Sequence, residues 1–133
     1  MRYPFAVLAA ASVLALLAAC APVAGPANPA LTPVEAQGTV IQVGDAPPQI
    51  CLGPVAESYP PQCSGPVVTG WDWSTVSGQE TAGDVTWGVY AVWGDWDGTA
   101  LAVTGAILLA LYDPAPDGAT DLANLNEIWA ETH

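Results

Sequence analysis

Glycine and proline interrupt this sequence so often that long regular segments have little room to form. The 13 glycines and 13 prolines together make 26 of the 133 residues, a composition that favours turns and short strands over long helices. The hydrophobic fraction of 52% is too high for a disordered chain, and the length suits one domain. We therefore expect a compact domain of strands joined by turns.

Short β-branched or apolar runs lie between these turn residues. Each run has a length and composition typical of a strand, and the last of them is also compatible with a buried helix. The candidate strands are residues 39–43, 49–52, 65–70, 85–96, 99–104 and 106–112.

The longest candidate, residues 85–96, alternates in the manner of a strand with two different faces. Trp87 and Trp93 fall on one face and Trp96 on the opposite one. Asp97 and Gly98 follow, and this pair is typical of a tight two-residue hairpin turn in which both central residues have positive φ. We expect residues 99–104 to return as the antiparallel partner strand.

The pattern becomes helical after the turn residues 113–118. Leu122, Leu125 and Trp129 recur at helical spacing, and Thr120 or Asp121 can cap the first turn. We expect this short helix to cover an open end or edge of the sheet. The predicted fold class is all-β and mainly antiparallel, a small β-barrel or sandwich, with an OB-like barrel as one form, followed by a short C-terminal helix.

The first 20 residues have the pattern of a lipoprotein signal. Arg2 supplies one positive charge, residues 5–19 are almost wholly apolar, and the run ends in Leu17, two alanines and Cys20, which is the order of a secretory signal. The apolar run is shorter than the roughly 20 residues that span a bilayer. Its end resembles the lipobox of bacterial lipoproteins, which implies cleavage before Cys20 and acylation there, with chains such as palmitate. An ordinary signal peptide followed by an incidental cysteine is the alternative.

On this interpretation the chain has three parts. Residues 1–19 are the signal peptide, residues 20–37 are the acylated cysteine and a tether, and residues 38–133 are the folded domain. At about 3.1 Å per residue the tether reaches on the order of 50 Å from the membrane. We expect it to be extended and to supply no strand of the core, because it contains Pro22, Pro26, Pro29 and Pro33.

Basic residues are almost absent from the chain. Arg2 is the single Lys or Arg against 13 Asp and Glu residues, so removal of the signal leaves a formal charge of 0 − 13 = −13. Such a chain has no cations to displace the counterions of nucleic acid or to dock on anionic lipid headgroups. A lipid anchor at Cys20 does not need them. The expected partners are therefore the membrane, through that anchor, and a neutral cell-wall glycan or a basic protein.

Cys51 and Cys63 are the remaining cysteines once Cys20 is acylated. Export brings the chain into an oxidising compartment, where a disulfide between them is the default expectation. A redox-active pair is the alternative, but such pairs have closer spacing and an electropositive neighbour. We therefore predict a structural disulfide that contributes roughly 3 kcal/mol.

Several short motifs lie around these cysteines: GTV at 38–40, ICLGP at 50–54, SYPPQC at 58–63 and GWDW at 70–73. Together they resemble a family of uncharacterised secreted proteins and lipoproteins of high-GC Gram-positive bacteria. The resemblance extends from about residue 38 to residue 104, and the later apolar strand and helix depart from it. It implies a compact all-β module in an extracytoplasmic location and no particular reaction.

The sequence offers little material for a conventional active site. His133 is the single histidine, and no Lys or Arg remains after removal of the signal, so general bases and oxyanion-stabilising cations are missing. We therefore predict no catalytic residue and no enzyme activity. Asp95 and Asp97, with Asp72 and Asp84 as further oxygen donors, are candidate calcium ligands, although a solvated hairpin turn explains Asp97 equally well. No other cofactor is predicted.

Six tryptophans are many for a domain of this size. A core position is the competing interpretation for each of them, and Trp87, Trp93 and Trp129 are expected to fill the core. The candidates for stacking on a glycan or a partner protein are Trp71, Trp73 and Trp96.

The leading functional hypothesis is a non-enzymatic, membrane-anchored extracytoplasmic lipoprotein that binds or assembles components of the cell envelope. The alternative is a cation-dependent protein, either a calcium-binding module or a carboxylate-based cell-wall hydrolase.

Overall fold

The computed structural model describes residues 30–114 and 122–133. Within these ranges lie seven strands, one α-helix and two short 3-10 helices, the latter at Trp73–Thr75 and Leu109–Leu111. None of the helices described is long and apolar enough to cross a membrane. The strands and the α-helix are, in chain order, β1 (Thr32–Val43), β2 (Gln49–Cys51), β3 (Val68–Thr69), β4 (Glu80–Ala82), β5 (Val85–Trp96), β6 (Leu101–Leu108), β7 (Ala123–Asn124) and α1 (Leu125–Thr132).

The described strands form one mixed sheet that curls on itself. Its main path runs β2-β1-β5-β6-β3, while β4 pairs with β5 and β7 pairs with β1. The β3–β6 and β1–β7 pairings are parallel, and the others are antiparallel. A bridge between Gln49 and Val67 links β2 to the residue before β3, so the two ends of the path meet. The sheet is sandwich-like and not a regular barrel, and the predicted all-β class with a short C-terminal helix is confirmed.

The first strand begins earlier than the sequence predicted. β1 starts at Thr32 and pairs with β5 over all of its 12 residues. Val34 and Ala36 are 0% and 1% exposed, so the interpretation of residues 32–37 as part of the tether was wrong. Pro33 is tolerated because it is the second residue of the strand, and proline fits the start of a strand better than its centre.

The β5–β6 hairpin is present as predicted, with β5 occupying residues 85–96. Its turn differs from the predicted two-residue form, because residues 97–100 separate the strands. Of Asp97 and Gly98, the glycine alone has positive φ, at 93°. The carboxylate of Asp97 accepts the N–H groups of Thr99 and Ala100, each at 2.7 Å. A side chain therefore closes the turn.

The two strands predicted at residues 99–104 and 106–112 are one strand. β6 runs without a break to Leu108 and is followed by a 3-10 helix. Its register with β5 shifts between Trp93 and Gly94, which leaves Thr104 without an opposite residue. This β-bulge bends the strand while keeping it in the sheet.

Two clusters of buried side chains hold the sheet together. The larger one includes Tyr90, Val92 and Trp96 from one face of β5 and is closed by Leu125 of α1. The smaller one contains Ile41, Cys51 and Trp87. Cys51 is bonded to Cys63 with a Cα–Cα distance of 5.8 Å, which confirms the predicted disulfide beside the smaller cluster.

The C-terminal helix covers the edge of β1. It is capped by Asn124, whose side-chain oxygen accepts the N–H of Asn126 at 3.0 Å. The side chain of Asn126 in turn bonds both backbone groups of Gln37, at 2.8 and 2.7 Å. The predicted caps Thr120 and Asp121 lie outside the described residues.

Candidate functional site

The tryptophans divide differently from the sequence prediction. Trp96 is 8% exposed and belongs to the larger core cluster, so its prediction as a stacking residue was wrong. The alternation along β5 is correct, but the face with Trp96 is the one turned towards the main core. Of the three tryptophans expected in the core, Trp87 is buried in the smaller cluster. Trp129 is half-buried against the larger cluster, and Trp93 is half-buried and belongs to neither.

Trp71 and Trp73 are half-buried and form an aromatic group with Tyr90. The ring centroid of Trp71 lies 5.3 Å from that of Trp73 and 5.1 Å from that of Tyr90, both in edge-to-face geometry. The indole N–H of Trp73 donates to Gln42 Oε1 at 2.7 Å, and the Tyr90 hydroxyl donates to the carbonyl of Ser77 at 3.0 Å. Burial raises the pKa of Tyr90. These contacts fix one wall of a surface groove.

The groove runs along the outer edge of β6, and we name it the β6 groove. It consists of two adjoining clefts of about 340 and 290 Å³ that share Thr75, Val76 and Ala106. One wall is the segment from Gly70 to Ser77, and the other is β6 with the following 3-10 helix. The first cleft is lined by Gly70, Trp71, Asp72, Thr75, Val76 and residues 103–106; the second is lined by residues 74–77, 106–108 and Leu111.

The groove exists because β3 leaves β6 after two residues. The two strands are parallel, with Val68 opposite Leu101 and Thr69 opposite Ala102. Gly70 follows with φ of 73°, a conformation that glycine adopts without strain. A Cβ at this position would lie 3.2 Å from the Val103 carbonyl oxygen, so the chain passes close to β6 before it turns away. Beyond this point the outer edge of β6 has no neighbouring strand among the described residues.

Trp71, which lines the groove, has a buried polar atom without a hydrogen-bond partner. Its indole nitrogen is the one buried side-chain nitrogen or oxygen without a hydrogen-bond partner in the described part of the chain. An unpaired buried donor costs about 1–3 kcal/mol, and such groups are rare enough to need an explanation. The sequence singled out Trp71 but gave no sign of this unpaired donor.

Asp72 is the one ionisable residue among those described that line the groove. Its carboxylate accepts the hydroxyl and the backbone N–H of Ser74, at 2.7 and 2.8 Å, and caps the 3-10 helix at Trp73–Thr75. The Ser74 hydroxyl, followed by the Ser74 N–H, holds the pKa of Asp72 below its usual value. The groove therefore has a fixed negative charge at one end.

The candidate calcium ligands Asp95 and Asp97 are not part of a metal cluster. The described residues contain no group of three or more His, Cys, Asp and Glu side chains placed to hold a metal ion. The carboxylate of Asp97 is already hydrogen-bonded within the hairpin turn. The backbone N–H of Ala100, followed by that of Thr99, lowers its pKa. Asp84 lies just before the start of β5, at the opposite end of that strand from Asp95. Its backbone carbonyl accepts the N–H of Gly44 at 2.7 Å.

A polar contact that the sequence did not suggest joins β1 to the end of the 3-10 helix that follows β6. The hydroxyl of Tyr112 donates to the carboxylate of Glu35, and this hydrogen bond raises the pKa of Tyr112. The two residues are 77 positions apart, so no local pattern could have paired them. Glu35 also lines a cavity of about 450 Å³ beside α1, together with Asn124 and Asn126.

The disulfide-bonded loop presents a second exposed aromatic ring. Tyr59 is 74% exposed and packs edge-to-face on Trp87, with ring centroids 5.3 Å apart. His133 stacks on Trp129 at 3.6 Å. Neither the Tyr59–Trp87 pair nor the Trp129–His133 pair lines the two clefts that form the β6 groove.

Comparison of the chain with models of protein families, with curated proteins and with solved structures finds no match.

Proposed function

We propose that this chain is a membrane-anchored extracytoplasmic lipoprotein whose folded domain binds or assembles components of the cell envelope. The anchor is supported by the order of Arg2, the apolar run at residues 5–19 and the lipobox-like sequence ending at Cys20. The Cys51–Cys63 disulfide supports an oxidising location. The resemblance to secreted proteins and lipoproteins of high-GC Gram-positive bacteria, a signal peptide at residues 1–19 and a tether that ends before β1 at Thr32 belong to the same proposal.

The observation that carries the binding role is the β6 groove. Its wall contains a half-buried aromatic ring, Trp71, with an unpaired donor, and its other side is a strand edge without a neighbouring strand in the described chain. Binding sites usually combine hydrophobic or aromatic side chains with a few polar groups, and this groove places Trp71 and Val76 beside the carboxylate of Asp72 and the hydroxyl of Thr75. The groove is long and open, which suits an extended ligand.

The lining of the groove favours binding over hydrolysis. Carboxylate-based glycoside hydrolysis uses two carboxyl groups on either side of the scissile bond, and Asp72 is the one carboxylate among the described lining residues. A carboxyl group that donates a proton near neutral pH needs a raised pKa, whereas the hydrogen bonds from Ser74 lower the pKa of Asp72. Asp72 therefore suits a charge contact better than proton donation.

Retention of purified envelope material by the full chain tests the binding role. The full chain, held in a non-ionic detergent, is immobilised and exposed separately to cell-wall glycan and to the solubilised envelope proteins. Trp71→Ala should abolish retention, because the groove loses its aromatic wall. Trp129→Ala is the matched control, since Trp129 is also half-buried against the larger cluster but does not line the groove. Equal retention by the two variants, or none by the parent, would contradict the proposal.

A further inference from the structure

We infer that the β6 groove binds an extended peptide segment of a basic partner protein, which adds as a strand beside residues 105–108. This inference rests on the proposed binding function and names the chemistry of its partner. The side chains of Trp71 and Val76, the open strand edge and the charge of the chain each support one part of it.

The open edge supports binding of an extended peptide. Leu101 still donates its N–H outwards to the carbonyl of Val67 at 3.0 Å, but after Ala102 the parallel pairing ends. The following residues of β6 pair with β5 on one side only among the described strands. An unpaired strand edge offers a row of N–H and C=O groups to another strand, and many domains bind peptides in this way.

The edge carries only part of the usual protection against strand addition, namely one bulge and a short open length. Natural proteins often place lysine or proline on such an edge, and β6 contains neither. Its one irregularity is the bulge at Thr104, which leaves residues 105–108 as an uninterrupted edge. The open length therefore suits a short strand of about four residues, the range of the shortest strands in proteins.

The charge of the chain identifies the class of occupant. Of the 13 acidic residues, Asp117 and Asp121 lie outside the described part, so 13 − 2 = 11 lie within it, against no Lys or Arg. A second copy of this chain would bring two strongly acidic domains together, and like charges oppose such contact. A cationic peptide is attracted instead, and Asp72 supplies a carboxylate at the groove itself.

The walls indicate which side chains the peptide carries. Successive side chains of a strand point to opposite faces, so alternate residues of the added strand face the groove wall formed by Trp71 and Val76. Both side chains pack against the larger core cluster and form an apolar patch among the polar residues of that wall. We expect apolar residues of the peptide to face this wall and to alternate with lysine or arginine on the solvent side.

Titration of the full chain with a designed peptide tests the inference. The probe is acetyl-(Lys-Val)₄-amide, added to the ¹⁵N-labelled chain in non-ionic detergent at near-physiological salt. The expected result is a set of amide shifts concentrated at residues 103–108, with a shift of the Trp71 indole N–H. Two further peptides are N-methylated on the backbone, one at every Lys residue and the other at every Val residue. Each keeps the side-chain charges but loses the backbone N–H groups that point to one side of the strand. One of these two should bind at least about tenfold more weakly than the parent peptide.

A pair of charge variants provides the matched control. Thr75 lines both clefts and Thr81 lies on β4, and both are exposed with a hydroxyl in one local hydrogen bond. Thr75→Arg should weaken peptide binding by about tenfold or more, because the arginine fills part of the groove and repels the cationic peptide. Thr81→Arg should change the affinity by less than about twofold. Equal weakening by both variants, or equal binding of all three peptides, would show diffuse charge attraction and overturn strand addition.

The remaining outcomes separate this inference from the proposed function. Shifts at β6 that appear on raising the protein concentration without peptide would identify a second copy as the occupant and overturn the inference. An N-acetylglucosamine hexasaccharide that shifts the groove while the peptide does not would overturn the peptide and leave the binding function standing. No response to peptide, saccharide or concentration would overturn the inference and count against the proposed function as well.

Discussion

Replacement of both disulfide cysteines by alanine should lower the free energy of unfolding by about 3 kcal/mol. Cys51 and Cys63 are 12 positions apart, and in the chain-entropy model the loss for a loop of about this length is 2.1 + 1.5R ln n cal/mol/K, roughly 2.9 kcal/mol at 25 °C. The link thus supplies a large share of the 5–15 kcal/mol that is typical of a domain.

Two features of the loop move this magnitude in opposite directions. Pro54, Pro60 and Pro61 already restrict the unfolded loop, so the cross-link removes less entropy there. Cys51 is 3% exposed beside Trp87, so its truncation also removes buried contacts from the smaller cluster. The two effects partly offset each other, and about 3 kcal/mol remains the expected loss.

Urea denaturation followed by tryptophan fluorescence measures this loss directly. Parent protein treated with dithiothreitol should unfold at a lower urea concentration than the oxidised parent, because it lacks the link. The Cys51→Ala, Cys63→Ala double variant should unfold at a slightly lower concentration still, because it also loses the buried contacts of Cys51. A loss below about 1 kcal/mol would refute the view that the disulfide constrains the unfolded chain. A reduced parent that matches the oxidised parent would refute it independently.

Further predictions concern the core, a close backbone contact and a titration. Leu125→Ala should cost about 2–5 kcal/mol in urea denaturation, because the side chain is fully buried; an unchanged midpoint would contradict the docking of α1. Gly65→Ala should lower the free energy of unfolding by about 1–3 kcal/mol, because the new Cβ would clash with the carbonyl oxygen of Ile50 in β2. Gly53→Ala is the control: its Cβ would meet nothing within 4 Å, so the free energy of unfolding should change by less than about 0.5 kcal/mol. The absorbance difference between the parent and Tyr112→Phe should show Tyr112 ionising above its usual pKa of 10.0, and Glu35→Gln should lower that pKa. This contact contributes stability below about pH 10 that is lost as pH rises through the raised pKa, and an ionisation at the usual value would contradict it.

Strands with a strong local pattern were predicted well from the sequence. The alternation and turn residues of β5 are local, so its bounds agree with the structure. The start of β1 was missed because Pro33 was taken as a sign of a tether, although its neighbours Val34 and Ala36 pair with β5. β4 and β7 contain three and two residues, too few for a pattern, and exist because a longer strand lies beside them.

The candidate site depends on tertiary structure that the sequence does not show. The sequence singled out Trp71 as a stacking candidate, but the groove beside it arises where β3 leaves β6 at Gly70. Alternation placed Trp96 on the correct face of β5 without showing that this face is the main core. The face that is buried is decided by the curl of the sheet and by the docking of α1.

The mass of the protein extracted from the cell membrane tests the central proposal most directly. The lipoprotein proposal expects residues 1–19 to be absent and Cys20 to be the first residue, carrying a diacylglyceryl group, and it expects Cys20→Ala to leave the membrane fraction. A membrane-bound chain that begins at Met1, or one in which Cys20 carries no lipid, would contradict it.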